Sequence, residues 1–461
     1  MTTADAANIT ARLVEYLGTL QPEKLPLQVL EVAKHSALDW LGAAIVGAQA
    51  PSVNIIVDII SSPNSRGTLI GRNTRASAFD AALANGSAGH ASELDNVHDA
   101  LGGHPSAAIL PALFALSELH RTSGIKFLAA IVAGTEVQCK VAAIIGESLR
   151  QRGFHSTSII GTLGAAAAAG YLLGLNGAEM ANAIGIAACQ SAGMRLAFGT
   201  MAKPLQVGSA AMNGFRAALL AQKGLSAPRN SLDPPLGFSG LYGLNNAAQG
   251  HSAPQRHPDR GFYILETMFK DYPCCFALHG PIDAALQMRA LSGYNSYLIK
   301  EVDVVVSPGL SALCSLTGPT TAEETRFSLP YALALTLAEH DPTSVDAWSA
   351  EIAETPRMAA LIKCIRPTVG PQSLKASCTL SILQSDRTRL STASEFRIPS
   401  TDLLGQWRSL TMKFARNVIP ILGEARTRLL ITKFDYFLGL DDASIPLRLA
   451  SLCHSNEGAS Q

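Results

Sequence analysis

From residue 5 to residue 225, apolar side chains recur at three- and four-residue spacing, and no strand-like alternation appears before about residue 300. Leu13, Tyr16 and Leu17 begin the pattern; Val29, Val32, Ala33, Leu38 and Leu41 continue it. Segments 80–88, 109–120, 124–145, 158–173, 177–192 and 206–222 extend it, with Pro105, Pro111, Gly153, Gly174 and Gly224 read as boundaries. A chain patterned this way buries its apolar surface helix against helix. Only 16% of its residues are charged and 48% are apolar, so its helices must be covered on most sides, by one another or by a second copy of the chain.

A chain of 461 residues is too long for one compact core. The segment 226–260, rich in Pro, Asn, Gly and Ser, reads as a long loop and a boundary. Beyond it the pattern changes. Val302 to Val306 is β-branched and strand-like, residues 377–383 alternate, and residues 388–396 return as an antiparallel partner. Residues 327–339, 347–362 and 403–438 read as helices. The predicted fold is mainly α: a large all-α domain over residues 1–262, completed by C-terminal helices within 403–461, and a smaller α+β domain over 263–402.

Lys plus Arg and Asp plus Glu both number 36, so the formal charge is zero and neither nucleic acid nor an anionic membrane is an expected partner. The eight cysteines include no C-x-x-C pair, which predicts reduced thiols and no metal site. Residues 1–15 lack the apolar stretch of a secretory peptide, and a cytoplasmic location is expected. Residues 158–175 are nearly uncharged, but Gly161, Thr162 and Gly164 interrupt them; a central helix is expected there rather than a membrane span. The chain has no G-x-G-x-x-G after a strand, no Walker A motif, no H-E-x-x-H and no G-x-S-x-G. Nucleotide cofactors, ATP chemistry, zinc proteolysis and α/β-hydrolase chemistry therefore lose weight.

Titratable residues crowd one segment. Glu93-Leu94-Asp95-Asn96-Val97-His98 is followed by His104-Pro105-Ser106, between an Ala/Gly-rich stretch and an apolar one. Such groups are costly to bury unless they pair or do chemistry, and a histidine oriented by a carboxylate is the commonest acid–base unit. The bland alternative is a polar surface loop or helix cap. His155 precedes Ser156-Thr157-Ser158 at the start of the Ala-rich helix, where free amides can hold an anion or simply be capped. Lys203 stands just before Pro204, near the start of the next helix, and Lys270 lies near the domain junction. Either can hold a carboxylate or be merely solvated. Cys274 and Cys275 are adjacent, and packing is their expected role.

In this order the blocks resemble the MmgE/PrpD family. The stretches are Leu38-Asp39-Trp40-Leu41-Gly42, Gly134-Thr135-Glu136-Val137, Phe154-His155 through Gly164, Lys203-Pro204 through Gly214, Lys270 through Gly280, and Arg326 through Tyr331. The resemblance covers about residues 10 to 440 and implies an all-α domain with an α+β lid, usually as a homodimer, free of metal and organic cofactor. It implies a lyase or epimerase acting on a small di- or tricarboxylate: a cis-aconitate decarboxylase, a 2-methylcitrate or alkylcitrate dehydratase, or an iminodisuccinate epimerase. The family's Asp-x-Asp-Asp-Thr segment falls on Glu93 to Val97, its His-Pro on His104-Pro105, its second histidine on His155, and its two carboxylate-binding lysines on Lys203 and Lys270. His104 is then the proton-transfer residue, Glu93 or Asp95 orients it, and His155, Lys203, Lys270, Asn96 and His98 complete the set. Glu93, Asn96 and Val97 depart from the family's Asp, Asp and hydroxyl residue. Glu in the first position also occurs in a fungal-type decarboxylase of the family, and decarboxylation is the favoured expectation. Asn96 and Val97 also leave open a protein that binds carboxylates without turnover.

Overall fold

The computed structural model describes residues 8–62, 64–243, 260–371, 378–395 and 397–452. Most of the chain before residue 243 is helical: α1 (Ile9–Thr19), α2 (Leu27–Gly47), α3 (Pro51–Ile60), α4 (Ala78–Ala91), α5 (Pro105–Leu119), α6 (Gly124–Gln151), α7 (Ser156–Leu173), α8 (Gly177–Ala188), α9 (Ala202–Gln222) and the short α10 (Phe238–Tyr242). Local signals fix their ends. Ser77 caps α4, Asn176 and Glu179 form a capping box on α8, and Pro105 opens α5. α7 is buried from Ser156 to Gly170, which is why its sequence lacks a polar face. α6 and α7 are long and apolar enough to cross a membrane, but 83% of each apolar window is buried against the rest of the protein.

Two short strands, β1 (Gly67–Thr68) and β2 (Arg75–Ala76), pair antiparallel well before residue 300, contrary to expectation. At two residues each they are too short to alternate. Asn85 and Glu118 hold them through the backbone of Thr68 and Ile70. Pro111 does not bound a helix: α5 runs through it, because burial on all sides outweighs the lost hydrogen bond. The loop expected over 226–260 contains α10, and its residues 244–259 lie outside the described ones.

After residue 260 a second core forms. It gathers α11 (His279–Arg289), α12 (Pro308–Leu313), α14 (Leu329–Leu337), α15 (Ala350–Ala353) and α16 (Pro356–Cys364) around a four-stranded sheet, with the short α13 (Ala322–Thr325) against α15. The strands are β3 (Ile299–Val306), β4 (Ile365–Val369), β5 (Cys378–Gln384) and β6 (Arg389–Ser394), in the order β4-β3-β5-β6. The expected hairpin is present as β5 and β6. β4, parallel to β3, was not expected: Pro367 and its mostly exposed side chains hide an edge strand from pattern reading. The helix expected over 347–362 is split before Pro356 into α15 and α16. The helix expected over 403–438 breaks at Gly423, whose φ is 77°, into α17 (Leu403–Leu422) and α18 (Glu424–Asp435); α19 (Ile445–Leu449) follows. α17 and α18 return to the first core, where Leu410, Phe414, Val418, Leu430 and Phe434 pack with residues of α2, α5 and α6. Ile264 and Leu265 also belong to that core, so the chain runs along the helical body before it enters the sheet layer.

Candidate active site

Two helix ends bring the first pair of groups together. α4 and α9 cross so closely that a Cβ on Gly86 would lie 2.9 Å from Gly208 Cα. That approach sets His90, at the end of α4, beside Lys203, in the first turn of α9: Lys203 Nζ lies 2.6 Å from His90 Nε2. An ammonium only donates, so Nε2 is the acceptor and the ring proton sits on Nδ1. Nδ1 then donates to Asp95 Oδ2 at 2.9 Å. His104 presents its own Nδ1 to the same oxygen at 3.1 Å, off the line of a hydrogen bond.

Glu93 sits at the centre of the charge. Its φ of 54° is left-handed, a conformation that costs a residue with a side chain about 1–3 kcal/mol and is kept where surroundings enforce it. Its carboxylate accepts from Lys203 through Oε1 and from Lys270 through Oε2 at 3.1 Å, and Lys270 also donates to Glu93 O at 2.9 Å. Lys203 further lies 5.2 Å from the Phe198 ring and 5.4 Å from the Phe327 ring, a cation–π pair. His155 caps no amide with its side chain. Its Nδ1 meets Gln206 Oε1 at 3.1 Å, and its ring lies 6.0 Å from that of His90. The His90 and His104 rings meet edge to face at 4.6 Å. Glu93, Asp95, His90, Lys203 and Lys270 all have side chains no more than 5% exposed, whereas His104 keeps 12%, so it is the more open to a ligand.

The electrostatics follow from this packing. Burial alone would raise Glu93 and Asp95. Lys203 and Lys270 instead hold Glu93 well below the carboxylate range, and His104 and His90 do the same for Asp95. Burial lowers His104 to about 4 against the pull of Asp95, and burial with Lys203 and His90 lowers His155 well below the imidazole range. Burial would lower Lys270, but Glu93 and Asp95 raise it above its usual value. At neutral pH Glu93 and Asp95 are therefore ionised, Lys270 is an ammonium group, and His104 and His155 are neutral.

Of the residues singled out in the sequence, Glu93, Asp95, His104, His155, Lys203 and Lys270 converge. His98 does not join them: Nε2 meets Tyr263 O at 2.7 Å and Nδ1 accepts from the Ala100 amide. Asn96 donates to Ser106 Oγ at 2.8 Å, and its buried Oδ1 has no hydrogen-bond partner. Sequence reasoning missed His90. It is the one titratable side chain in the second half of the Ala-rich helix and stands three residues before Glu93, a same-face helical spacing that was the available signal. Cys274 is buried, and Cys275 contacts Cys314, so their surroundings are those of packed thiols. His90, Asp95 and His104 each offer a ligand atom within 4.8 Å of the others, a set that can hold a metal ion. The neighbouring Lys203 ammonium opposes a cation there. A separate cleft of about 620 Å³, lined by Phe269, Asp271, Arg397, Gln406 and Lys413, has none of these side chains in its lining.

Histidines backed by a buried carboxylate, beside two ammonium groups and the N-terminus of α7, define an acid–base enzyme for carboxylate substrates. The chain belongs to the MmgE/PrpD family: the MmgE/PrpD N-terminal domain matches residues 11–249 and the C-terminal domain residues 272–435. It is 34% identical to a cis-aconitate decarboxylase-like protein of Aspergillus oryzae, over 63% of this chain and 64% of that one. It is 30% identical to a cis-aconitate decarboxylase of Aspergillus terreus, over 72% of each chain. A cis-aconitate decarboxylase of Mus musculus is 28% identical over 96% of this chain and 93% of its own.

Proposed function

We propose that this protein is a cofactor-free lyase that decarboxylates a tricarboxylate of the cis-aconitate type. The observation that carries the reading is the convergence of two buried lysines and two histidines on two buried carboxylates, with His155 beside them, in a chain whose relatives are named for that reaction. Lys203 and Lys270 would hold substrate carboxylates as fixed cations, with His155 and the amides at the start of α7 as further donors. The bond to one carboxylate breaks and CO2 leaves. The released electron pair passes into the allylic system, and the far carbon takes a proton from His104. An arriving trianion raises the pKa of His104 from its low resting value and so loads the proton it must give. His90 and Asp95 would orient that ring. The sheet layer would serve as a lid, and the assembly would be a water-soluble cytoplasmic homodimer, in keeping with the burial of α6 and α7.

The resting state of His104 favours a second reading. A neutral imidazole is the base form, which suits removal of the α-proton in dehydration of an alkylated citrate. Proton NMR of the protein with cis-aconitate, citrate, 2-methylcitrate and iminodisuccinate, one per tube, separates the two. Vinylidene protons from cis-aconitate support decarboxylation. Their absence, with an olefinic product from 2-methylcitrate, replaces it with dehydration. Silence in every tube, with thermal stabilisation by the same compounds, leaves a binding protein.

A further inference from the structure

Three buried cations from three parts of the chain grip backbone carbonyls of the segment that leads into and carries Glu93 and Asp95. Arg326 donates to Ala91 O at 3.3 Å, Lys270 to Glu93 O at 2.9 Å, and Lys413 to Leu94 O at 2.8 Å. The third comes from farthest along the sequence. Lys413 lies on α17, its side chain 8% exposed, and its ammonium also binds Asp39 Oδ1 of α2 at 2.6 Å. Leu94 separates the two carboxylates. Glu93 turns to the lysines and Asp95 to the histidines, and the left-handed Glu93 makes that divergence possible.

We infer that Lys413, held by Asp39, is a positioning residue for the reaction: its ammonium fixes the Leu94 carbonyl and so the opposed directions of Glu93 and Asp95. The inference rests on the lyase reading of the site. The ammonium touches neither carboxylate of the reacting cluster, so its effect belongs to proton transfer, which depends on sub-ångström placement, more than to substrate binding.

Lys413→Met alone strands Asp39 as an unpaired buried carboxylate and threatens the fold. The test therefore uses the double variant Asp39→Asn/Lys413→Met, which removes both charges together, beside Lys413→Arg. Turnover of cis-aconitate is measured together with affinity for the unreactive propane-1,2,3-tricarboxylate and amide exchange of the 90–98 segment. In the double variant kcat should fall about tenfold or more while KM and tricarboxylate affinity stay within about threefold. Exchange should rise at residues 92–96, with α2 and α17 still protected. Lys413→Arg, which keeps a donor, should recover part of kcat. Unchanged kcat and exchange in the folded double variant overturns the inference. So does a parallel loss of kcat and affinity, or exchange that rises equally through α2 and α17. If the wild-type protein turns over no tricarboxylate, the lyase reading falls, and the exchange pattern alone decides whether Lys413 holds the segment.

Discussion

Two buried acidic groups in this protein meet opposite fates. Glu93 lies between two ammonium groups and is held well below the carboxylate range. Glu136, in the middle of α6, is just as buried, but its oxygens accept from neutral groups: the Ile264 amide at 3.2 Å, the Tyr16 hydroxyl at 3.1 Å and the Tyr263 backbone. The nearby Lys140 ammonium sits over the Tyr16 ring at 4.1 Å. Burial therefore prevails and lifts Glu136 to about 7. At Glu136 the neutral donors satisfy the buried carboxyl without keeping it charged; at Glu93 direct ammonium contact does both. One arrangement suits a structural tie between α1, α6 and the 263–268 segment. The other suits a site that must present fixed charge to a substrate.

The contrast is tested most severely at the reacting cluster. His104→Gln should cut turnover by about 10² to 10⁴-fold in a protein that still folds, since an acid–base group is lost while His90 Nδ1 still donates to Asp95. A turnover equal to wild type removes His104 from the mechanism. Lys270→Met should come next. It leaves Glu93 half-paired in a buried setting, so stability at pH 7 should fall by about 3–5 kcal/mol by chemical denaturation. A loss below about 1 kcal/mol would mean that Lys203 alone suffices. Glu136→Gln should act in the opposite sense. The folded pKa of about 7 lies above the reference 4.5, so ionisation destabilises the fold. The penalty grows as pH rises from 4.5 through 7 and is complete above that, at about 3 kcal/mol at most. The Gln variant should match wild type near pH 4 and exceed it at pH 8 in denaturant titrations. Glu93 works the other way, because its pKa is depressed: its contribution is present above 4.5 and is lost as pH falls through the folded value. A Glu136→Gln variant weaker than wild type at pH 8 breaks the contrast.

The sequence carried the helical body because α2 and α4 to α9 keep apolar or small residues over several turns. It missed β1, β2 and β4, which have no alternation to read, and the breaks at Gly423 and Pro356. Within the site, Glu93, Asp95 and His104 were legible because they stand close in sequence among apolar neighbours. His155, Lys203 and Lys270 gained weight only through the family resemblance, since each alone reads as a cap or a solvated lysine. His90 was hidden by the Ala-rich helix that carries it. Lys413 and Asp39 lie 374 positions apart, and only the return of α17 onto α2 joins them. His98 looked like part of the cluster by spacing, but the chain turns it to the Tyr263 carbonyl.

The central claim is that His104 delivers a proton to carbon as CO2 leaves a tricarboxylate. Incubation of wild-type protein and His104→Gln with cis-aconitate in deuterium oxide, followed by NMR and mass spectrometry, tests it directly. The account predicts a vinylidene product carrying one deuteron on carbon from the wild type, formed about 10² to 10⁴-fold more slowly by the variant. A product without deuterium, or equal rates from both proteins, would contradict it.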